Sequence, residues 1–345
     1  MLGPGSEGRP STLRIAFAGT FAARLEEPVR RHLDLPCDVV VADEAGIVSR
    51  LRDVDVLVTL AFGRAMGAAA GRLKLVQVPG AGLDRIDRSA LPAGVRLANA
   101  YGHETGIAEY VLGAMLALTR EFGRLDAALR RGRWESQWAV GVPPPPGWPE
   151  LAGRTLGVLG YGRIGQAVAR RARAFDMEVL AIRRDAALPD PSGIAAVRGP
   201  GALAVRGPGA LDEVLARSDY LAITLPLTPE TRGLLGETRL RAMKPTAIVV
   251  NVARAEIVDE DALYTALAER RIAGAAVDVW YRYPTVAGAT LPAGRPFHEL
   301  PNILMTPHVS GWTDGMLGAR ARLIAENIRR TARGEPPLNL VAPPG

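Results

Sequence analysis

Short apolar runs alternate with stretches of helical spacing along most of the chain. LRIAFAG from Leu13, CDVVVAD from Cys37, Val54–Thr59 and Leu75–Val78 read as strands, with a helical stretch from Glu26 to Leu33 between the first two. Apolar strands alternating with helices predict a parallel sheet covered on both faces, so residues 13–100 are expected to form one α/β domain. From Gly106 to Arg131 the residues Ile107, Val111, Leu112, Met115, Leu116, Leu118 and Leu125 recur at three- and four-residue steps. That spacing predicts one helix of about 26 residues, ~39 Å long, suited to linking domains or to packing in a dimer. The proline run Pro143–Pro146, followed by Gly147-Trp148-Pro149, marks a boundary.

A second α/β pattern starts at Thr155. TLGVLG, EVLAI, YLAITL, AIVVNV, AAVDV and NILMT read as strands, and Ile164–Phe175 and Glu260–Glu269 as helices. The last helical stretch, Leu317–Arg333, has no strand after it and is placed to cross back to the first domain. The expected fold is α/β, with two Rossmann-like, doubly wound parallel-sheet domains. One is discontinuous (13–100 and 312–345); the other spans 101–311. Residues 1–12 lack the apolar core of a signal peptide and read as a disordered polar tail. The octamer AVRGPGAL occurs twice in tandem, Ala196–Leu203 and Ala204–Leu211, and reads as a duplication that lengthens a surface loop without chemistry.

Composition narrows the functional classes. Hydrophobic residues make up 48% of 345, and 38 Gly with 27 Pro stay below the share that marks low complexity. A single cysteine, Cys37, forms no intramolecular disulfide, and no Cys/His group has zinc spacing, so no metal is expected and a reducing, cytoplasmic setting fits. No run approaches the ~18 apolar residues of a membrane span. The 42 basic residues exceed the 36 acidic ones, for a net +6, yet only Lys74 and Lys244 are lysines. The arginines are scattered as singles and doublets, and aromatics are only 5%. No nucleic-acid partner is therefore expected.

The sharpest local signal is Gly160-Tyr161-Gly162-Arg163-Ile164-Gly165, a GxGxxG between an apolar strand and a helix. Gly160 allows the tight turn, Gly162 lets backbone approach a pyrophosphate, and Gly165 lets the helix pack close, while the helix N-terminus offers free N–H groups to phosphate. At the end of the next strand, where a carboxylate would select the ribose of NAD, stand Arg183 and Arg184. Two guanidiniums suit a 2′-phosphate and favour NADP. Asp185 in the ribose position would instead favour NAD.

Asn251–Leu263, Gly274–Trp280 and Thr306–Gly311 together resemble the D-isomer-specific 2-hydroxyacid dehydrogenase family, which includes formate, phosphite and phosphoglycerate dehydrogenases. Pro79–Asp84 resembles its substrate loop and Leu225–Thr231 its cofactor-lining turn. The resemblance implies an active site in the cleft between the domains, a homodimer packed through the long helix, and hydride transfer between NADP(H) or NAD(H) and a small anionic 2-oxo/2-hydroxy acid. Arg254 would clamp the substrate carboxylate and His308 would be general acid and base. Gly80, Ala81 and Gly82 would hold the carboxylate through backbone N–H groups, and Asp278 would fix the nicotinamide carboxamide. Leu225, Pro226, Thr231, Val252, Ala253, Ser310 and Gly311 would line the cofactor beside the glycine loop.

Four positions depart from the family pattern. Most members carry a Glu five residues after the Asp that pairs with the catalytic His, and here that position is Tyr283. A phenol orients an imidazole but supplies no charge, so His308 is expected to titrate lower than its counterparts. Formate dehydrogenases also lack the Glu, so a formate-like or phosphonate-like substrate, with Arg282 as an extra anion contact, is the nearest alternative. A non-catalytic dinucleotide-binding sensor is the second. At the start of the long helix, His103 and Glu104 replace an Asn-containing loop and are either substrate contacts or a helix cap. Ala255 replaces the usual Gly, a minor change.

Overall fold

The computed structural model describes residues 12–185 and 203–341. The polar tail before Thr12 and most of the first octamer lie outside the described residues. The chain divides into two compact units, one comprising residues up to Gly102 and from Thr313 on, the other His103–Trp312.

In chain order the first unit holds β1 (Leu13–Ala18), α1 (Thr20–Ala23), α2 (Glu26–Arg30), β2 (Cys37–Ala42), β3 (Val56–Thr59), α3 (Arg64–Ala69), β4 (Leu75–Gln77) and β5 (Arg96–Ala98). The second holds α4 (Glu104–Thr119), α5 (Phe122–Leu129), β6 (Thr155–Leu159), α6 (Arg163–Arg173), β7 (Glu178–Ile182), β8 (Leu203–Arg206), α7 (Leu211–Arg217), β9 (Tyr220–Ile223), α8 (Glu237–Arg241), β10 (Ile248–Asn251), α9 (Glu260–Ala268), β11 (Gly274–Val277) and β12 (Ile303–Met305). Helix α10 (Asp314–Ala332) returns to the first unit.

The first unit is a five-stranded parallel sheet in the order β2-β1-β3-β4-β5. Strand alternation sorts its core into two layers. Ile15, Phe17, Val56 and Val58 pack with Ala321, Ile324 and Ile328 of α10, whereas Ala16, Ala18, Leu57 and Val76 face Ile47, Leu51 and Phe62. Asp55, fully buried at the mouth of β3, is held by Arg72 at 2.8 Å and Lys74 at 3.2 Å.

The second unit is a seven-stranded parallel sheet in the order β12-β11-β10-β9-β6-β7-β8. Its strand order reverses between β6 and β9, and in open α/β sheets the crevice at the carboxyl ends beside that point is where ligands bind. Among the described residues, no helix is long and apolar enough to cross a membrane, and no group of three His, Cys, Asp or Glu could hold a metal ion.

Two sequence expectations need correction here. The single helix over 106–131 is two helices, because Glu121 adopts φ 51° and stops α4. The Thr119 hydroxyl, 2.9 Å from that of Tyr220, ties the end of α4 to β9, and Arg124 and Trp148 hold the Glu121 carboxylate. The apolar spacing resumes in α5 and hides the break. The second octamer copy is also not loop: its Ala204–Arg206 lies in β8, paired with β7, and its Leu211 opens α7.

Candidate active site

Every cofactor or catalytic residue expected from the second unit falls on a loop following the carboxyl end of a strand, or in the helix that loop opens. The glycine loop follows β6, Arg183 and Arg184 follow β7, the 225–231 turn follows β9, Val252–Arg254 follow β10, Asp278–Tyr283 follow β11, and His308–Gly311 follow β12. A parallel sheet brings these separate segments to one edge, which no single motif could do.

At the glycine loop, Gly160 has φ 104°, and a Cβ there would meet the Thr224 and Leu225 backbone at 2.9 Å. The Thr224 hydroxyl donates to the Gly160 carbonyl at 2.7 Å, so the turn is stitched across the reversal point. A Cβ on Gly165 would lie 2.1 Å from the Gly160 carbonyl oxygen, whereas one on Gly162 would meet nothing within 4 Å. Gly162 also begins α6 with no side-chain cap. Open space in front of uncapped helix N–H groups fits a pyrophosphate, so these residues suit a dinucleotide. Arg184 is exposed, and its charge helps hold the Glu230 carboxyl below its usual range, after the Thr228 hydrogen bond. In the 225–231 turn, the Thr231 hydroxyl donates to the Pro226 carbonyl at 2.7 Å and accepts from Thr228 N–H at 2.8 Å, so it shapes the turn itself.

Arg254 stands at the mouth of β10 in extended backbone. Asn251 fixes that loop from both sides, accepting from Ala253 N–H at 3.1 Å and donating to the Arg254 carbonyl at 3.0 Å. His308 is exposed and sits at φ 57°, the left-handed region that a residue with a Cβ holds only when its surroundings impose it. Asp278, fully buried, supplies that constraint: it accepts from Val309 N–H at 2.9 Å and Ser310 N–H at 2.8 Å. Its Oδ1 also accepts from the Thr306 hydroxyl at 2.6 Å, and the Trp280 indole donates to the Thr306 carbonyl at 2.8 Å. Three of the Asp278 acceptor positions thus hold the His308 loop.

Tyr283 takes the place of the missing carboxylate. Its hydroxyl lies 2.7 Å from His308 Nδ1. Burial pushes the phenol up, opposed by the Trp280 N–H bond and by the Arg254 charge. The Arg282 guanidinium instead lies against Gly294, next to the Glu260 carboxylate.

His103 is buried at the start of α4, and its Cβ would touch a side chain placed on Gly311. Glu104 is the first residue of α4, where a carboxylate meets the helix dipole favourably. In the first unit, the Gly80–Gly82 loop follows β4. Ala100 N–H donates to the Gly80 carbonyl at 3.0 Å and the Asn99 amide to the Ala81 carbonyl at 3.1 Å. Sequence reading missed Asn251, Asn99 and Thr306 as loop-fixing groups; a polar residue closing an apolar strand was the available signal.

Comparison with known proteins adds to this geometry. The family model described as D-isomer specific 2-hydroxyacid dehydrogenase, NAD binding domain, matches residues 112–310. The chain is 35% identical over 317 residues to a glyoxylate reductase of Korarchaeum cryptofilum, covering 90% of this chain and 89% of that one. It is 34% identical over 303 residues to a D-3-phosphoglycerate dehydrogenase of Methanocaldococcus jannaschii, covering 86% of this chain but only 53% of the relative. Among solved structures, the NADPH-dependent glyoxylate/hydroxypyruvate reductase of Sinorhizobium meliloti, in complex with NADP and malonate, superposes with a TM-score of 0.76 at 28% identity. That match covers 96% of this chain and 97% of the other.

Proposed function

The chain belongs to the D-isomer specific 2-hydroxyacid dehydrogenase family, NAD(P)-dependent oxidoreductases acting on the hydroxyl of 2-hydroxy acids, and from that premise we propose that it reduces a small 2-oxo acid of the glyoxylate or hydroxypyruvate class with NADPH. The observation that carries the reading is the 2.7 Å contact between Tyr283 and His308 Nδ1 within the field of Arg254. When bound, the nicotinamide supplies the hydride to the carbonyl carbon. Arg254 pairs with the substrate carboxylate through its planar fork and polarises the adjacent carbonyl. His308 enters as the imidazolium, with Nδ1–H donated to Tyr283 and Nε2–H to the carbonyl oxygen. Loss of the Nε2 proton leaves the Nδ1–H tautomer, whose bare Nε2 is the base for the reverse reaction. Gly80–Gly82 are proposed to hold the carboxylate with backbone N–H groups.

NADP preference rests on Arg183 and Arg184 at the end of β7, the D configuration on the family, and a cytoplasmic setting on the lone Cys37. A homodimer is supported by exposed apolar side chains on α5 and the segment after it: Phe122, Leu129, Trp134, Trp138, Val140 and Val142. The formate-like or phosphonate-like alternative keeps the missing carboxylate in its favour but loses Arg282, which is turned to Gly294. A panel of glyoxylate, hydroxypyruvate, formate and a hydroxyalkylphosphonate with each cofactor, read by nicotinamide absorbance, tests the proposal. Turnover of the 2-oxo acids with NADPH at least tenfold better than with NADH is expected. Inert 2-oxo acids beside an oxidised formate or phosphonate would reverse the choice of substrate.

A further inference from the structure

Tyr110 of α4 reaches the threonine that opens the His308 loop. Tyr110 Oη lies 2.7 Å from Thr306 Oγ1, which lies 2.6 Å from Asp278 Oδ1. Burial pushes the Tyr110 phenol up to about 12, so it keeps its proton and remains a donor. The Asp278 carboxylate only accepts, so Thr306 gives it its single hydroxyl hydrogen, and Tyr110 must then donate to Thr306. Hydrogen bonds arranged in one direction polarise one another, and this chain ends on the carboxylate that binds the N–H groups of Val309 and Ser310. Those are the two amides after His308, whose φ of 57° needs an imposed constraint.

We propose that Tyr110 is a positioning residue for catalysis: acting through Thr306 and Asp278, it fixes the left-handed turn that presents His308 Nδ1 to Tyr283 and Nε2 to substrate. The inference rests on His308 being the acid and base. It differs from a bare structural tie between α4 and β12, which would change melting temperature but not proton transfer.

The test compares Tyr110→Phe, Thr306→Val, Thr306→Ser, the Tyr110→Phe/Thr306→Val pair and His308→Ala, with NADPH and whichever 2-oxo acid the wild type reduces fastest. Tyr110→Phe is expected to lower kcat about fivefold, the worth of one ordinary hydrogen bond, and Thr306→Val about tenfold or more, since it strips a donor from a buried carboxylate. The substrate KM, set by Arg254, stays within about twofold. The double variant is expected to be no worse than Thr306→Val alone, because Tyr110 acts only through Thr306. Thr306→Ser restores most of the rate. In Tyr110→Phe the descending limb of kcat against pH moves to lower pH by about half a unit, as the imidazolium loses part of its hold on Tyr283.

Wild-type kcat and pH profile in Tyr110→Phe, beside an inactive His308→Ala, overturn this inference and leave the acid–base reading intact. Effects that multiply in the double variant also overturn it. Wild-type turnover by His308→Ala removes the reading and the inference together.

Discussion

Replacing Tyr283 by Glu restores a charge where the structure has a neutral phenol 2.7 Å from His308 Nδ1. Burial holds that phenol above its ordinary value, so the wild-type pair carries no negative charge through the working range. Glu is shorter than Tyr, and its carboxylate would stand about 4 Å from the ring. At that distance Coulomb's law gives ~1 kcal/mol in bulk water and ~4 kcal/mol near a protein surface. Tyr283 is 48% exposed, which favours the lower end, so the His308 pKa should rise by about one unit. In the proposed mechanism reduction requires the imidazolium, so activity is present below that pKa and lost as pH rises through it. The assay is kcat/KM for 2-oxo acid reduction against pH. Tyr283→Glu is expected to carry the descending limb about one unit upward. Tyr283→Phe, which removes an acceptor and adds no charge, lowers kcat about fivefold without an upward move. A limb that stays in place in Tyr283→Glu, or moves down, refutes the claim that Tyr283 stands as His308's partner.

Arg254→Lys keeps the charge but loses the planar fork, and kcat/KM for the 2-oxo acid should fall about 10–100-fold while cofactor affinity holds. Arg183→Ala and Arg184→Ala together should raise the KM for NADPH about tenfold and leave NADH unchanged; equal effects on both would move the 2′-phosphate site elsewhere. Gly165→Ala places a Cβ 2.1 Å from the Gly160 carbonyl oxygen and should destabilise the fold by about 1–3 kcal/mol in a thermal melt. Gly162→Ala faces open space and should melt like the wild type while cofactor affinity, measured by nucleotide fluorescence, falls about tenfold.

What the sequence disclosed follows from the range of the interactions involved. Buried strands such as Thr155–Leu159 and Ile248–Asn251 are apolar throughout and read directly. The strand β8 did not: it is a four-residue edge strand with only Leu203 buried, and it lies inside a repeat that looks like loop. The break at Glu121 escaped because the apolar spacing continues on both sides, and the Thr119–Tyr220 contact beside it joins positions about a hundred residues apart. Within the candidate site, contiguous motifs singled out Arg254, His308 and the glycine loop, which the sheet brings to one edge. What those motifs did not reveal is the contact among Tyr110, Asp278 and Thr306, which meet only when β11, β12 and α4 pack together. Periodicity and spacing carry no trace of such a contact.

Hydride transfer to a 2-oxo acid is followed directly in a single-turnover reduction with NADPH deuterated at the transferable C4 position, using glyoxylate or hydroxypyruvate and mass analysis of the product. Wild-type protein is expected to place one deuterium on C2 of the hydroxy acid, at a rate that falls by about 100-fold or more in His308→Ala. No deuterium in any 2-oxo acid product, or equal transfer by wild type and His308→Ala, would contradict the proposed mechanism.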